Sequence, residues 1–382
     1  MARIYKLINV DEDTTFISQE TTTGLWTGDT GSLDQFFTST TQLAKNNSKY
    51  FVDVYNVDPA ATSSAEVQFS IAYGNRNGLG SPTLNQEDNS TLATQAVYLQ
   101  LKNILLDPED AQFVFADGTE SDEIYAISVA RSKFKGYVDP GNWQITLSGS
   151  NGIRTFIDDS SQTLGTRRSF AKNGLVFNIV SGSISGVSGS TVSSTTGSGG
   201  EGFGLFYPQK GIMILNPQEI DTTVGFTGRV TGNVGTVTAG GENTASAAAF
   251  LTEQSGLAPL APFTASLQGT VGNYFDQYNW AGLFRSMVLG ADFQARSAEI
   301  ISSTHYFLRL NNKEFNYSNN PSFATGSTGA LTNEDFERDP RVFVTTIGLY
   351  NDSNELLAVA KLSRPLEKSF SKEALLRVRL DF

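Results

Sequence analysis

The sequence predicts a mainly β fold with a few helices: a β-sandwich-like body, an α+β N-terminal part and a central Gly/Ser/Thr-rich insertion. Three observations predict it. Apolar and polar residues alternate with period two over several short segments, as in strands with one buried face. Turn-forming pairs of Asp, Asn, Gly and Pro separate those segments. Charged residues make up only 17% of the chain against a typical ~25%, while aromatic residues make up 11%, 26 of them Phe, which is ample for a core. Composition divides the chain into a β-rich domain with one helix (1–150), an insertion with low-complexity loops (151–270) and a second β-rich domain (271–382) expected to pack on the first.

Each element has its own signal. Tyr50 to Val57 is rich in Phe, Val and Tyr, and Val67, Phe69, Ile71 and Tyr73 alternate with polar partners. Asp58-Pro59-Ala60-Ala61 lies between them, so a hairpin is predicted. Ser90 can cap a helix from Thr91 to about Leu105, with Leu92, Ala96, Leu99 and Leu101 contributing to a broad apolar stripe, and Asp107-Pro108 stops it. Strands are expected at Gln112–Phe115, Ile124–Ala130 and Asn142–Leu147, with a tight turn at Asp117-Gly118. Gly204–Leu215 reads as a hairpin over Pro208-Gln209-Lys210-Gly211. Further on, His305–Leu310 and Lys313–Tyr317 read as a hairpin across Asn311-Asn312. Val342–Tyr350 and Leu356–Leu362 read as another across Asn351 to Asn354, and Val378, Leu380 and Phe382 as a closing strand whose final Phe packs.

Two biased stretches interrupt this pattern. Ser181 to Glu201 is almost wholly Ser, Gly, Thr and Val, and Thr222 to Ala249 repeats Gly, Thr, Val and Ala without a period. The first cannot bury much apolar area, so it is expected to be a flexible or weakly ordered loop unless a neighbouring chain holds it. That loop and the aromatic Gly202–Tyr207 after it are the expected interface residues.

Composition excludes several kinds of chemistry. The chain has no Cys, which removes disulfides, thiol nucleophiles and thiolate metal sites. Its one histidine, His305, makes a His-based triad improbable and is read as a structural residue of a strand. With 27 Lys+Arg against 39 Asp+Glu, the net charge of −12 opposes the basic footprint of a nucleic-acid binder. No apolar run spans a bilayer and the N-terminus has no signal-peptide core, so assembly in a cytoplasm is expected.

The acidic clusters Asp11-Glu12-Asp13, Asp158-Asp159 and Glu334-Asp335 read as solvated loop charge, and none has EF-hand spacing. Gly197 to Gly204 lacks the Lys-Ser/Thr of a phosphate loop, and Arg167-Arg168 is too short for a nucleic-acid patch. Asn316, Asn319 and Asn320 with Tyr317 and Pro321 form a polar knot, read first as turn hydrogen bonds and second as an inter-subunit contact. No catalytic, cofactor-binding or metal-ligating residue is nominated, and no cofactor is expected.

Particular strings carry a resemblance. The segments SAEIISSTHYFLRLNNKEFNYSNNPSF (297–323), FVTTIGLYNDSNELLAVAKLSRPLEKSF (343–370) and LLRVRLDF (375–382) resemble structural proteins of contractile-tailed, T4-like and cyanobacterial bacteriophages. FSIAYGNRNGLGS (69–81), YLQLKNILLDPED (98–110), DEIYAISVARSKFK (122–135) and DPGNWQITLSG (139–149) are similar to the same family. The resemblance covers about 50–150 and 297–382 and leaves the middle unmatched.

It implies a virion component of the tail baseplate wedge that joins neighbouring subunits and helps couple host attachment to sheath contraction. Its partners would be other tail proteins and copies of itself. Phe315, Asn316, Tyr317, Ser318, Asn319, Asn320 and Pro321, with the stretch Thr345 to Tyr350, would be framework. Two alternatives stand beside this reading: a neck, capsid-surface or fibre-attachment protein, and a carbohydrate-binding or depolymerising tail protein using exposed aromatics and paired acids such as Asp158-Asp159.

Overall fold

The computed structural model describes residues 5–27, 31–38, 50–80, 92–161, 168–171, 174–187, 202–225, 279–326 and 328–382. Among them are five α-helices: α1 (Val10–Asp13), α2 (Leu92–Leu105), α3 (Pro217–Val224), α4 (Asn279–Gly290) and α5 (Asp335–Arg338). The first strands are β1 (Thr14–Gly24), β2 (Ser32–Leu33), β3 (Val52–Tyr55), β4 (Val67–Asn75), β5 (Phe113–Val114), β6 (Glu120–Ser121) and β7 (Glu123–Val129). Next come β8 (Tyr137–Val138), β9 (Gln144–Gly149), β10 (Gly152–Asp158), β11 (Arg168–Ala171), β12 (Gly174–Ser183), β13 (Gly186–Val187), β14 (Gly204–Tyr207) and β15 (Ile212–Leu215). The last are β16 (Asp292–Gln294), β17 (Arg296–Leu310), β18 (Val342–Tyr350), β19 (Leu356–Lys368) and β20 (Ala374–Asp381). The fold is therefore mainly β, as its alternation predicts.

The chain forms two compact units, 21–299 and 1–20 with 300–382. These bounds differ from a division at 150 and 270, because backbone hydrogen bonds join strands that composition sets apart. In the larger unit ten strands follow the order β2-β16-β9-β10-β12-β14-β15-β7-β4-β3, every neighbour antiparallel.

The sheet curls on itself. Just beyond β2, Phe37 bridges to Tyr55 of β3 with N···O distances of 3.1 and 2.8 Å, so the two ends of the order meet. Across that seam, Phe69 on β4 and Phe293 on β16 pack edge to face at 5.3 Å, and Trp26 lies against both. Closure pairs otherwise open edges and encloses one core.

Residues of alternate parity fill two clusters. Tyr125, Ile127, Phe206, Met213 and Leu215 point into the curled sheet, joined by Trp280, Leu283, Phe284 and Met287 of α4. Ile124, Ala126, Leu205, Tyr207, Ile212 and Ile214 point outward and are covered by Tyr98 and Leu105 of α2 and by Phe113 and Phe115. Strands β7, β14 and β15 are thus buried on both faces, which is why IMIL at 212–215 is uninterrupted apolar sequence.

Several expected elements are present: the 52–55/67–75 hairpin, helix 92–105 and the β14–β15 hairpin over Pro208 to Gly211. The turn at Asp117-Gly118 (Gly118 φ 84°) joins β5 to the short β6, while β7, expected after it, pairs with β4 and β15 instead. Ser90, residues 188–201 and residues 226–278 lie outside the described residues. The described part of 151–225 supplies β10, β12, β14 and β15, all within the sheet. The stretch 188–201 therefore interrupts the connection between neighbouring strands of the body.

In the smaller unit β17 lies between β1 and β20, and β18 pairs with β19. Leu308, Leu310, Leu349, Leu376 and Val378 form its core, and Phe323 with Phe336 a second cluster. Two expectations are corrected here. Lys313–Tyr317 is not the second strand of a hairpin: Glu314 Oε2 accepts from the Asn311 N–H at 3.0 Å and Phe315 adopts φ 53°, which turns the chain, and β17 pairs with β20 instead. Phe382 is 76% exposed; only its backbone is held, its N–H donating to the Ser302 carbonyl at 2.9 Å.

Candidate functional site

The acid pair Asp158-Asp159 ends β10, and its two members are 0% and 2% exposed. They are not solvated loop charge. Asp158 Oδ2 accepts from the Gly141 N–H at 2.7 Å and Oδ1 from the Ser160 N–H at 2.9 Å, so this carboxylate fastens the 139–142 turn to the strand end. Asp159 accepts from the Asn178 N–H at 3.0 Å and from Asn178 Nδ2 at 2.8 Å, and its own N–H donates to the Asn178 carbonyl. Burial, with the neighbouring Asp159 charge as a smaller cause, pushes the Asp158 carboxyl above the usual aspartate range. Both acids are occupied by main-chain and amide donors, so they serve as staples.

Asp11, Glu12 and Asp13 are α1 itself, capped by Asn9, whose Oδ1 accepts from the Asp11 N–H. Glu334 and Asp335 are exposed at the start of α5. His305 is buried on β17 opposite Arg379 of β20, its ring near Phe307. Among the described residues no group of three or more His, Asp and Glu side chains is arranged to hold a metal ion. No described helix is long and apolar enough to cross a membrane.

Gly202–Tyr207, expected at an interface, is buried throughout. It supplies β14 in the middle of the sheet, with Phe203 against Phe156 and Phe206 against Trp143. Its apolar run was the signal of a two-faced strand.

The exposed apolar surface lies elsewhere. Of 22 large hydrophobic side chains exposed among the described residues, 15 belong to the smaller unit, although that unit is much the shorter. They include Phe16 and Ile17 on β1, Phe343 on β18, and Leu357 and Val359 on β19. Register explains the hairpin: Ile347↔Ala360 and Leu349↔Ala358 turn toward the unit's core, leaving Val359 opposite Gly348 on the outer face. The smaller unit carries 12 Lys+Arg against 14 Asp+Glu, and the larger 15 against 25, so the apolar surface sits on the nearly neutral unit.

The polar knot is built around a residue the sequence reading did not single out. Lys368 ends β19 with 0% exposure, its Nζ donating to the Asn312 carbonyl (3.1 Å), Asn316 Oδ1 (3.0 Å) and the Ser369 carbonyl (3.0 Å). Its signal was parity, since it continues the inward series Ala358, Ala360, Leu362 and Leu366. Asn320 makes the expected turn bond, Oδ1 accepting from the Ser322 N–H, while Tyr317 packs its ring on Phe323. No protein-family model, no curated protein and no solved structure matches the chain.

Proposed function

We propose that this protein is a structural subunit of a contractile bacteriophage tail, a component of the baseplate wedge that works through contacts with other tail proteins and with copies of itself. The observation that carries the proposal is the concentration of exposed apolar side chains on the smaller, nearly neutral unit. Exposed apolar side chains gathered on one unit favour burial against another protein. Low charge reduces the desolvation cost of burying it. The strings at 297–323, 343–370 and 375–382, which resemble phage tail proteins, belong almost entirely to this unit.

The test is incorporation into particles. A Phe343→Ser/Leu357→Ser/Val359→Ser variant alters only exposed positions of the β18–β19 hairpin, so its thermal midpoint is expected to stay near that of the parent. Its incorporation into purified virions, followed by mass spectrometry, is expected to fall at least tenfold. Parental incorporation of the triple variant, or absence of the protein from virions altogether, would refute the proposal.

A further inference from the structure

Lys368 is unusual in what surrounds it. A lysine ammonium ordinarily remains in water, yet this side chain is wholly buried and its three hydrogen-bond acceptors are all uncharged amide oxygens. The acids whose charge it feels are Glu314 and Glu373; Glu314 is paired with Lys6 at 2.7 Å and Glu373 with Arg309 at 3.0 Å. Burial therefore holds the Lys368 amine below the usual lysine range.

Its partner is equally constrained. Asn316 Oδ1 lies 3.0 Å from Nζ, while Asn316 Nδ2 donates to the Asn312 carbonyl at 2.7 Å, the same carbonyl that Lys368 binds. The amide is thus gripped at both ends. Phe315, just before it, holds φ 53°, a conformation uncommon for a bulky residue, with its ring packed against the unit's core.

We propose that Lys368 and Asn316 condense into an intramolecular amide, a covalent cross-link between the end of β19 and the 311–317 loop. The Lys368 ammonium gives one proton to water, and the Nζ lone pair adds to Asn316 Cγ. The Nζ–Cγ bond forms and the Cγ–Nδ2 bond breaks. The Asn316 amide nitrogen leaves as ammonia, carrying its two hydrogens and one from Nζ. Nothing is oxidised or reduced and no co-reactant is consumed. Such an exchange is very slow between free molecules. The fold, however, holds Nζ 3.0 Å from the oxygen of the same carboxamide, and a bond made once per molecule needs no turnover. In a protein that carries mechanical load, the cross-link would keep the loop from peeling off the hairpin.

Intact-mass spectrometry of the purified, denatured full-length chain tests this directly. The expected mass is one ammonia below that of the sequence. Proteolysis should then yield one branched peptide joining a fragment containing Asn316 to a fragment containing Lys368, absent from Lys368→Arg and Asn316→Ala. The wild-type readout decides the matter whether or not those variants fold. A wild-type chain at its full sequence mass after prolonged incubation in the folded state overturns the proposal. So does ammonia loss without the branched peptide, the outcome of a succinimide at an asparagine.

Discussion

Asp158 shows how a single buried charge can hold two pieces of chain together while weakening the state it organises. Its carboxylate satisfies the N–H groups of Gly141 and Ser160, both in half-buried residues. Asp158→Asn keeps the shape but turns an amide NH₂ toward one of those donors. The variant is expected to lose about 2 kcal/mol by denaturant titration. The pH dependence has a definite sign. Because the folded-state pKa is raised, the folded chain holds this proton more tightly than the unfolded chain. Asp158 therefore destabilises the fold progressively as pH climbs from the ordinary aspartate range through the raised value, and contributes nothing below it. The stability gap between wild type and Asp158→Asn should accordingly widen as pH is lowered through that window. A gap that narrows over the same range contradicts the assignment.

Among the elements, the contact of α2 with β4 turns on one glycine. A Cβ on Gly74 would lie 2.9 Å from the Tyr98 N and 3.0 Å from its Cα, both backbone atoms that a side-chain rotation cannot move. The helix lies this close because Tyr98 reaches over the strands: its OH donates to the Ser121 carbonyl at 2.7 Å and accepts from the Phe113 N–H. Burial raises the phenol pKa to about 12. Gly74→Val should push the helix off the sheet and cost ~1–3 kcal/mol, the range for overpacking a well-filled core. Loss of near-ultraviolet signal and a lower denaturation midpoint would register it, whereas an unchanged midpoint would mean that the helix is not pressed on that strand.

At the scale of the whole molecule, each compact unit has its own apolar cluster. Calorimetry should therefore resolve more than one transition. Trp26→Ala removes a ring that packs on Phe69 and Phe293, and its Nε1 bond to the Phe293 carbonyl at 2.6 Å. It should lower the transition of the larger unit by ~3–5 kcal/mol. Leu376→Ala should act on the transition of the smaller unit. Association through the smaller unit's apolar surface should also persist when salt rises from ~0.1 to ~1 M, where exposed charge pairs are screened. Sedimentation velocity of the concentrated chain reads this; dissociation at high salt would point instead to an electrostatic interface.

Local pattern determined much of this protein. Period-two alternation and turn residues specify the hairpins at 52–75, 204–215 and 342–362, because each depends on neighbours within a few residues along the chain. The helix at 92–105 is legible too, but its buried face is not: Ala96, Leu99 and Ile104 of the expected stripe are exposed, and Val97, Tyr98 and Leu105 are buried. Only the tertiary structure decided which faces are covered. Asp158-Asp159 and Gly202–Tyr207 read as exposed segments, and the sheet's closure buries both, since their partners Gly141, Asn178, Phe156 and Ile214 come from other strands and turns. Phe382 reads as packed and is exposed, because β20 has β17 on one side and nothing over its last side chain among the described residues. Lys368 follows the inward parity of its strand, yet its three acceptors are fixed by a loop more than fifty residues earlier and by its own next residue, a juxtaposition that composition and spacing do not encode.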